Sequence, residues 1–147
     1  MKAYRAEADT LTAFIHQYRR STGNRLLDVA CGTGLHLSYL KHRFQVEGLD
    51  LDEQVLAIAR QRNPGVPWHH ADMIGFDLGH TFDVVTCLFS AIGYVKTPEN
   101  LSRAVQCMAQ QPFPLSLQAQ CSRGQLHWPF VNLDAKIPPD VNVLIFS

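Results

Sequence analysis

Leu26-Leu27-Asp28-Val29-Ala30-Cys31-Gly32-Thr33-Gly34 is the stretch on which the fold turns. A short, largely apolar run of this kind is typical of a strand covered on both faces, as strands inside a parallel sheet are. Gly32 and Gly34 then break it. With no Cβ to collide, they let the backbone turn sharply and pass close to a ligand. LHLSYLKHRF (35–44) resumes with Leu37, Leu40 and Phe44 at helical spacing. The N–H groups that open such a helix would face the cavity beside the turn. Taken alone, a G-x-G corner is explained as well by ordinary chain geometry as by a ligand.

Working outward, the alternation repeats. QVEGLD (45–50) reads as a second strand, and Asp52 is a good N-cap for the helix EQVLAIARQR (53–62). Asn63-Pro64-Gly65 stops that helix. VPWHHADM (66–73) is a weaker strand, Gly75 to Thr81 a loop, and FDVVTCLFS (82–90) the most strand-like stretch in the chain. Pro98 suits the first turn of a helix, PENLSRAVQCMAQ (98–110), where its missing N–H costs nothing. Upstream, Lys2 to Tyr18 reads as a helix with Leu11, Phe14, Ile15 and Tyr18 on one face, followed by a loop at Ser21–Asn24. Strands alternating with helices predict a doubly wound parallel α/β sheet. Right-handed crossovers and a switch point beside the first strand give the order 3-2-1-4.

Asp50 sharpens the glycine corner. It ends the second strand, which neighbours the first, and a carboxylate there can accept hydrogen bonds from both ribose hydroxyls of a nucleoside. The bland alternative makes it a helix-capping acid, but Asp52 directly precedes the helix and fills that role better. A dinucleotide fold would want a third glycine for close helix–strand packing. Counted from Gly32 the third position is Leu37, and counted from Ala30 it is Leu35. That disfavours a nicotinamide-linked oxidoreductase.

Asp28-Val-Ala-Cys-Gly-Thr-Gly34 resembles the first motif of class I S-adenosylmethionine (SAM) methyltransferases. The longer string LLDVACGTGLHLSYL, VEGLDLDEQVLAIARQRNP, HHADM and FDVVTCLFSAIGYV resembles a small-molecule branch of that family, the amino-sugar N,N-dimethyltransferases. The likeness runs from about Lys2 to Ala109. It implies a Rossmann-like SAM-binding core over residues 1–110, a small-molecule acceptor, in particular an amine, and room for a homodimer. By position it implies that Ala30, Cys31 and Gly32 line the methionine part of SAM, with Gly34 permitting the turn. Asp50 would hold the ribose and Leu51 pack on the adenine. Asp72 would accept from the adenine amino group, with the Met73 N–H on the ring. Leu88 and Phe89 would lie beside the reacting methyl, Tyr94 would face the acceptor as the catalytic candidate, and Tyr4 would close over the cofactor. For Asp72 the competing reading is an acid serving a turn; for Tyr94, a core tyrosine with a wet hydroxyl.

Composition removes other classes. Lys+Arg and Asp+Glu are equal at 13 each, so no basic field exists to gather nucleic acid or anionic membrane. No apolar run is long enough to span a bilayer, and the N-terminus has no apolar signal-like core, so a cytoplasmic protein is expected. Cys31, Cys87, Cys107 and Cys121 show no C-x-x-C spacing and the histidines no metal-like arrangement, so no metal is expected and the cysteines read as reduced thiols.

The resemblance lapses after Ala109. Five of the eight prolines but only four charged residues fall in 112–147. QQPFPLSLQAQCSRGQLHWPF aligns with nothing in the family, as a frameshifted, spliced or truncated reading frame would produce. The sheet is therefore expected to stop after its fourth strand with an unpaired edge there, and the tail to be loosely ordered. A non-catalytic, methyltransferase-like interaction protein is the alternative this departure keeps open.

Overall fold

The computed structural model describes residues 3–19, 21–88 and 91–110, and short backbone stretches at 117–118, 121–122, 125–126 and 143–145. The side chains of Tyr18 and Gln110 lie outside the described part, as do Phe89 and the expectation that the tail is loosely ordered. Helix α1 spans Tyr4–Tyr18, β1 Arg25–Val29, α2 Leu37–Leu40, β2 Gln45–Asp50, α3 Glu53–Arg62, β3 Trp68–His70, β4 Val84–Cys87 and α4 Pro98–Gln110; a 3₁₀ turn covers Ala91–Val95.

The four strands pair in parallel in the order β3-β2-β1-β4, as the alternation requires. Leu26 faces Val46 on one side and Val84 on the other, so β1 is central. Its side chains alternate between two apolar layers. Leu27 and Val29 join Leu49, Val85, Phe76, Phe82 and, from α4, Ala104 and Met108. Leu26 joins Val46, Val84 and Leu88 beneath Ala8, Leu11 and Ile15 of α1 and Leu37 and Leu40 of α2.

Two local expectations are revised. The second helix is one turn long, because past Leu40 the chain tightens into i→i+3 bonds, His42 N–H to Tyr39 O and Arg43 N–H to Leu40 O. Phe44 still reaches the core. The edge of β4, expected to be unpaired, is met by β8, Val143–Ile145, in parallel register, and Leu117–Gln118 (β5) pairs beyond it. The pairing supplies β4 with main-chain partners that an open edge would lack. Cys121–Ser122 (β6) and Gln125–Leu126 (β7) form a separate antiparallel pair.

The helix starts follow local chemistry. Asp52 has extended backbone and accepts the Gln54 N–H at 2.8 Å, so it caps α3 as expected. Thr97 Oγ1 accepts the Asn100 N–H at 3.1 Å ahead of Pro98. No helix among the described residues is long and apolar enough to cross a membrane.

Candidate cofactor site

Because the four core strands are parallel, the connections that leave their C-terminal ends lie along one edge of the sheet. These are Ala30–Gly34, Leu51–Asp52, Ala71–Ile74 and, after β4, Leu88 and the turn from Ala91. The order reverses beside β1, and ligands of open α/β sheets bind at such a switch point.

The first connection is held from all sides. Ala30, Gly32 and Gly34 have φ of +58°, +56° and +68°. The Cys31 N–H donates to Leu49 O at 3.0 Å, and the Gly34 N–H closes the turn on Cys31 O at 3.1 Å. Asp50 Oδ2 accepts the Gly32 N–H at 2.8 Å, while its Oδ1 accepts the Asp52 N–H at 3.0 Å. Each carboxylate oxygen thus takes one backbone bond and keeps a lone pair for another. From behind, Arg62 donates to Thr33 O at 2.6 Å and buried Asn63 Nδ2 donates to Gly34 O at 3.0 Å. Asn63 Oδ1 in turn accepts from Lys41.

The two glycines do different work. A Cβ on Gly34 would sit 2.5 Å from Cη2 of the Trp68 indole, so its smallness serves packing inside the protein. A Cβ on Gly32 would meet no atom within 4 Å. The outer face of Gly32 is open at the switch point, with the Asp50 carboxylate bonded to its N–H.

Beneath the turn lies Asp28, 2% exposed, whose Oδ1 accepts the Thr86 hydroxyl at 2.7 Å. Burial pushes its carboxyl up to about 7; the Thr86 bond opposes this and the nearby Asp50 charge adds to it. Burial, with both acids, raises the Cys31 thiol above its ordinary range, and burial pushes Cys87 up to about 12. Both are thiols rather than thiolates at neutral pH, which removes them as nucleophiles.

The remaining residues singled out from the sequence are spread over the connections after β2, β3 and β4 and the first turn of α1. Leu51 is 63% exposed directly after Asp50. The Ala71 N–H donates to Asp50 O at 3.1 Å, which ties the start of the third connection to the second. Asp72 is half-buried and its Oδ1 accepts the Ile74 N–H at 3.1 Å, so the turn-acid reading holds for one of its oxygens. Met73 is half-buried against the layer under α4. Leu88 is buried in the layer under α1. Tyr94 is 79% exposed on the 3₁₀ turn, so it is not a core tyrosine. Tyr4, in the first turn of α1, sets its ring edge-on to His36 at 5.0 Å.

Three contributors escaped the sequence reading. Asp28 had a signal, a charge inside an otherwise apolar strand. Asn63 read only as a helix stop, and the pairing of His36 with Glu7, 2.9 Å apart, joins segments 29 residues apart. Among the histidines, His69 and His80 both place Nε2 on the Glu47 carboxylate, at 2.7 and 2.9 Å. No group of three or more metal-ligating side chains among the described residues is arranged to hold a metal ion.

A parallel sheet with helices between its strands, a glycine turn after its first strand and an acid ending its second defines a Rossmann-like α/β domain. A family model described as a methyltransferase domain matches residues 26–111, and the chain belongs to that family. It is 45% identical over 114 residues to the dTDP-3-amino-3,6-dideoxy-alpha-D-glucopyranose N,N-dimethyltransferase of Streptomyces fradiae, covering 77% of this chain and 44% of that one. It is 40% identical to the dTDP-4-amino-2,3,4,6-tetradeoxy-D-glucose N,N-dimethyltransferase of Saccharopolyspora spinosa, over 74% of this chain and 44% of that one. Among solved structures it is similar to the SAM-bound amino pentose methyltransferase of Micromonospora echinaspora, with a TM-score of 0.73 and 46% identity over 77% of this chain and 48% of that one. The chain spans about half the length of the relatives it matches.

Proposed function

We propose that this chain carries the cofactor-binding half of a SAM-dependent N-methyltransferase whose acceptor is the amino group of a small molecule, an amino sugar in the first instance. The observation that carries this reading is the open face of Gly32 with Asp50 held on its N–H. Gly32 presents bare backbone where a ligand would lie, and Asp50 retains acceptor capacity for two ribose hydroxyls. Leu51 offers an exposed apolar side chain for a purine face. The Met73 N–H, which donates to nothing among the described residues, is available to a ring nitrogen, and Asp72 to an exocyclic amine. Tyr4 of α1, set against His36, and the exposed Tyr94, on the turn after β4, are the aromatic side chains we assign to the cofactor and to the acceptor.

SAM supplies a methyl group on a sulfonium, reactive enough that the protein chiefly has to align the acceptor lone pair and exclude water. The exposed Tyr94 hydroxyl suits orienting the acceptor N–H or handing its proton to solvent. The names of the relatives support the acceptor class, since each of these curated relatives is an N,N-dimethyltransferase of a nucleotide-linked amino sugar.

Thermal denaturation tests the reading. SAM or its demethylated product at a hundred times its dissociation constant should stabilise the chain by about 2.7 kcal/mol, whereas NADH should leave it unmoved. A shift with NADH alone would reverse the assignment. Paired acids give a second test. Asp50→Ala should weaken SAM at least about tenfold, because charge-assisted bonds to hydroxyls are each worth roughly 1.5–3 kcal/mol. Asp52→Ala should leave affinity nearly unchanged and cost about 1 kcal/mol of folding through the lost cap. Titration calorimetry with parallel urea melts reads both, and the opposite pattern would assign the ribose to Asp52.

A further inference from the structure

We propose that His36 and Glu7 form a clamp that couples the first turn of α1 to the glycine turn, making His36 a positioning residue for the cofactor. This rests on the reading of Ala30–Gly34 as the cofactor site and extends it to the His36–Glu7 pair, which the resemblance does not mark.

The geometry is specific. His36 stands two residues after Gly34, at the N-cap of α2, so its backbone is continuous with the turn. Its Nε2 lies 2.9 Å from Glu7 Oε2, with the imidazole side chain 12% exposed and the carboxylate 34%. The same ring receives Tyr4 edge-on. The body of α1 is fixed otherwise: Leu11 and Ile15 sit in the core, and Asp9 and Thr12 both take Arg43. Ala3 precedes the helix with no side-chain cap, and the first helical bond is Glu7 N–H to Ala3 O at 3.0 Å. The first turn of α1 is thus joined, through Glu7 and Tyr4, to a residue two places beyond the glycine turn.

A ligand that fixes the Ala30–Gly34 backbone fixes His36 with it, and the grip on Glu7 and Tyr4 then strengthens. Coupling of this kind is reciprocal: whatever factor the docked first turn contributes to affinity, the ligand returns as ordering of that turn.

Two measurements on the full chain decide it, SAM affinity by calorimetry and hydrogen exchange at the Glu7 amide with and without SAM. The parent should show exchange at Glu7 slowed about tenfold by SAM. His36→Ala and Glu7→Ala should each bind SAM about tenfold more weakly and lose that slowing. His36→Gln, whose amide can still donate to Glu7, should recover most of both. Glu7 is partly exposed, so Glu7→Ala folds even if His36→Ala does not. Unchanged affinity in Glu7→Ala, failure of His36→Gln to recover either property, or a parent whose Glu7 amide ignores bound SAM would overturn the clamp alone. A parent that binds no SAM would overturn the cofactor reading and the clamp together.

Discussion

Asp28→Asn should flatten the dependence of folding stability on pH and leave the variant more stable than the parent above neutrality. Asp28 is buried on β1 with one hydroxyl partner and a second carboxylate as its nearest charged influence. Its folded carboxyl titrates near 7, against about 3.9 for an unfolded aspartate. Between those values the unfolded chain has released its proton while the folded chain still holds one. The folded state therefore binds more protons, and stability falls as pH rises through this window. Three decades of proton affinity correspond to about 4 kcal/mol, fully lost only above pH 7. Asparagine keeps the oxygen that accepts from Thr86 and has nothing to ionise. Urea melts at pH 5 and pH 8 should give a difference between variant and parent that grows in the variant's favour. A constant difference would mean that Asp28 does not titrate in this window. An acid kept in so costly a position, beneath the glycine turn, is characteristic of a functional site rather than of a stable core.

Gly34→Ala should destabilise the protein by about 3 kcal/mol, from two separable sources. A φ of +68° costs an alanine on the order of 1 kcal/mol. The new methyl would also press against Cη2 of the Trp68 ring, and overpacking a fixed aromatic typically costs about 1–3 kcal/mol. A double-mutant cycle separates them. Against a Trp68→Leu background the steric part should vanish and the backbone part remain, giving a coupling of about 2 kcal/mol. Strict additivity would show that Trp68 does not set the limit at this position. Gly32→Ala should behave differently, since its Cβ meets no protein atom: a loss near 1 kcal/mol in folding, with the larger effect on SAM affinity.

The contrast between these two glycines shows where sequence reading reaches its limit. LLDVACGTG, the acid at Asp50 and the cap at Asp52 were legible because each is a local pattern whose physical cause lies within a few residues. Strand order followed from handedness. The division of labour between Gly32 and Gly34 was not legible, because it depends on a tryptophan 34 residues after Gly34. Asn63 and His36 were missed for the same reason: each acts on backbone or side chains 29 residues away. The second helix was read too long because Leu37, Leu40 and Phe44 face the core whether the chain between them is helix or 3₁₀ turn. Pairing of β8 with β4 left no trace in the sequence, since a short apolar triplet carries no information about its partner. Tyr94 could be placed after the fourth strand by resemblance, but only the fold showed it to be exposed.

The position of β1 between β2 and β4 also governs how the molecule is made. One edge of β1 finds its partner soon after synthesis, in β2. The other waits for β4, and the Asp28–Thr86 bond that ties them spans 58 residues. At roughly 5–20 residues per second, a ribosome needs about 3 to 12 seconds to deliver that length. Throughout the interval Leu26 to Val29 present bare amides and carbonyls along the central strand of the nascent chain, next to a glycine turn that is not yet fully braced. The same arrangement that places the candidate site at the centre of the sheet leaves it half-built until β4 has been translated.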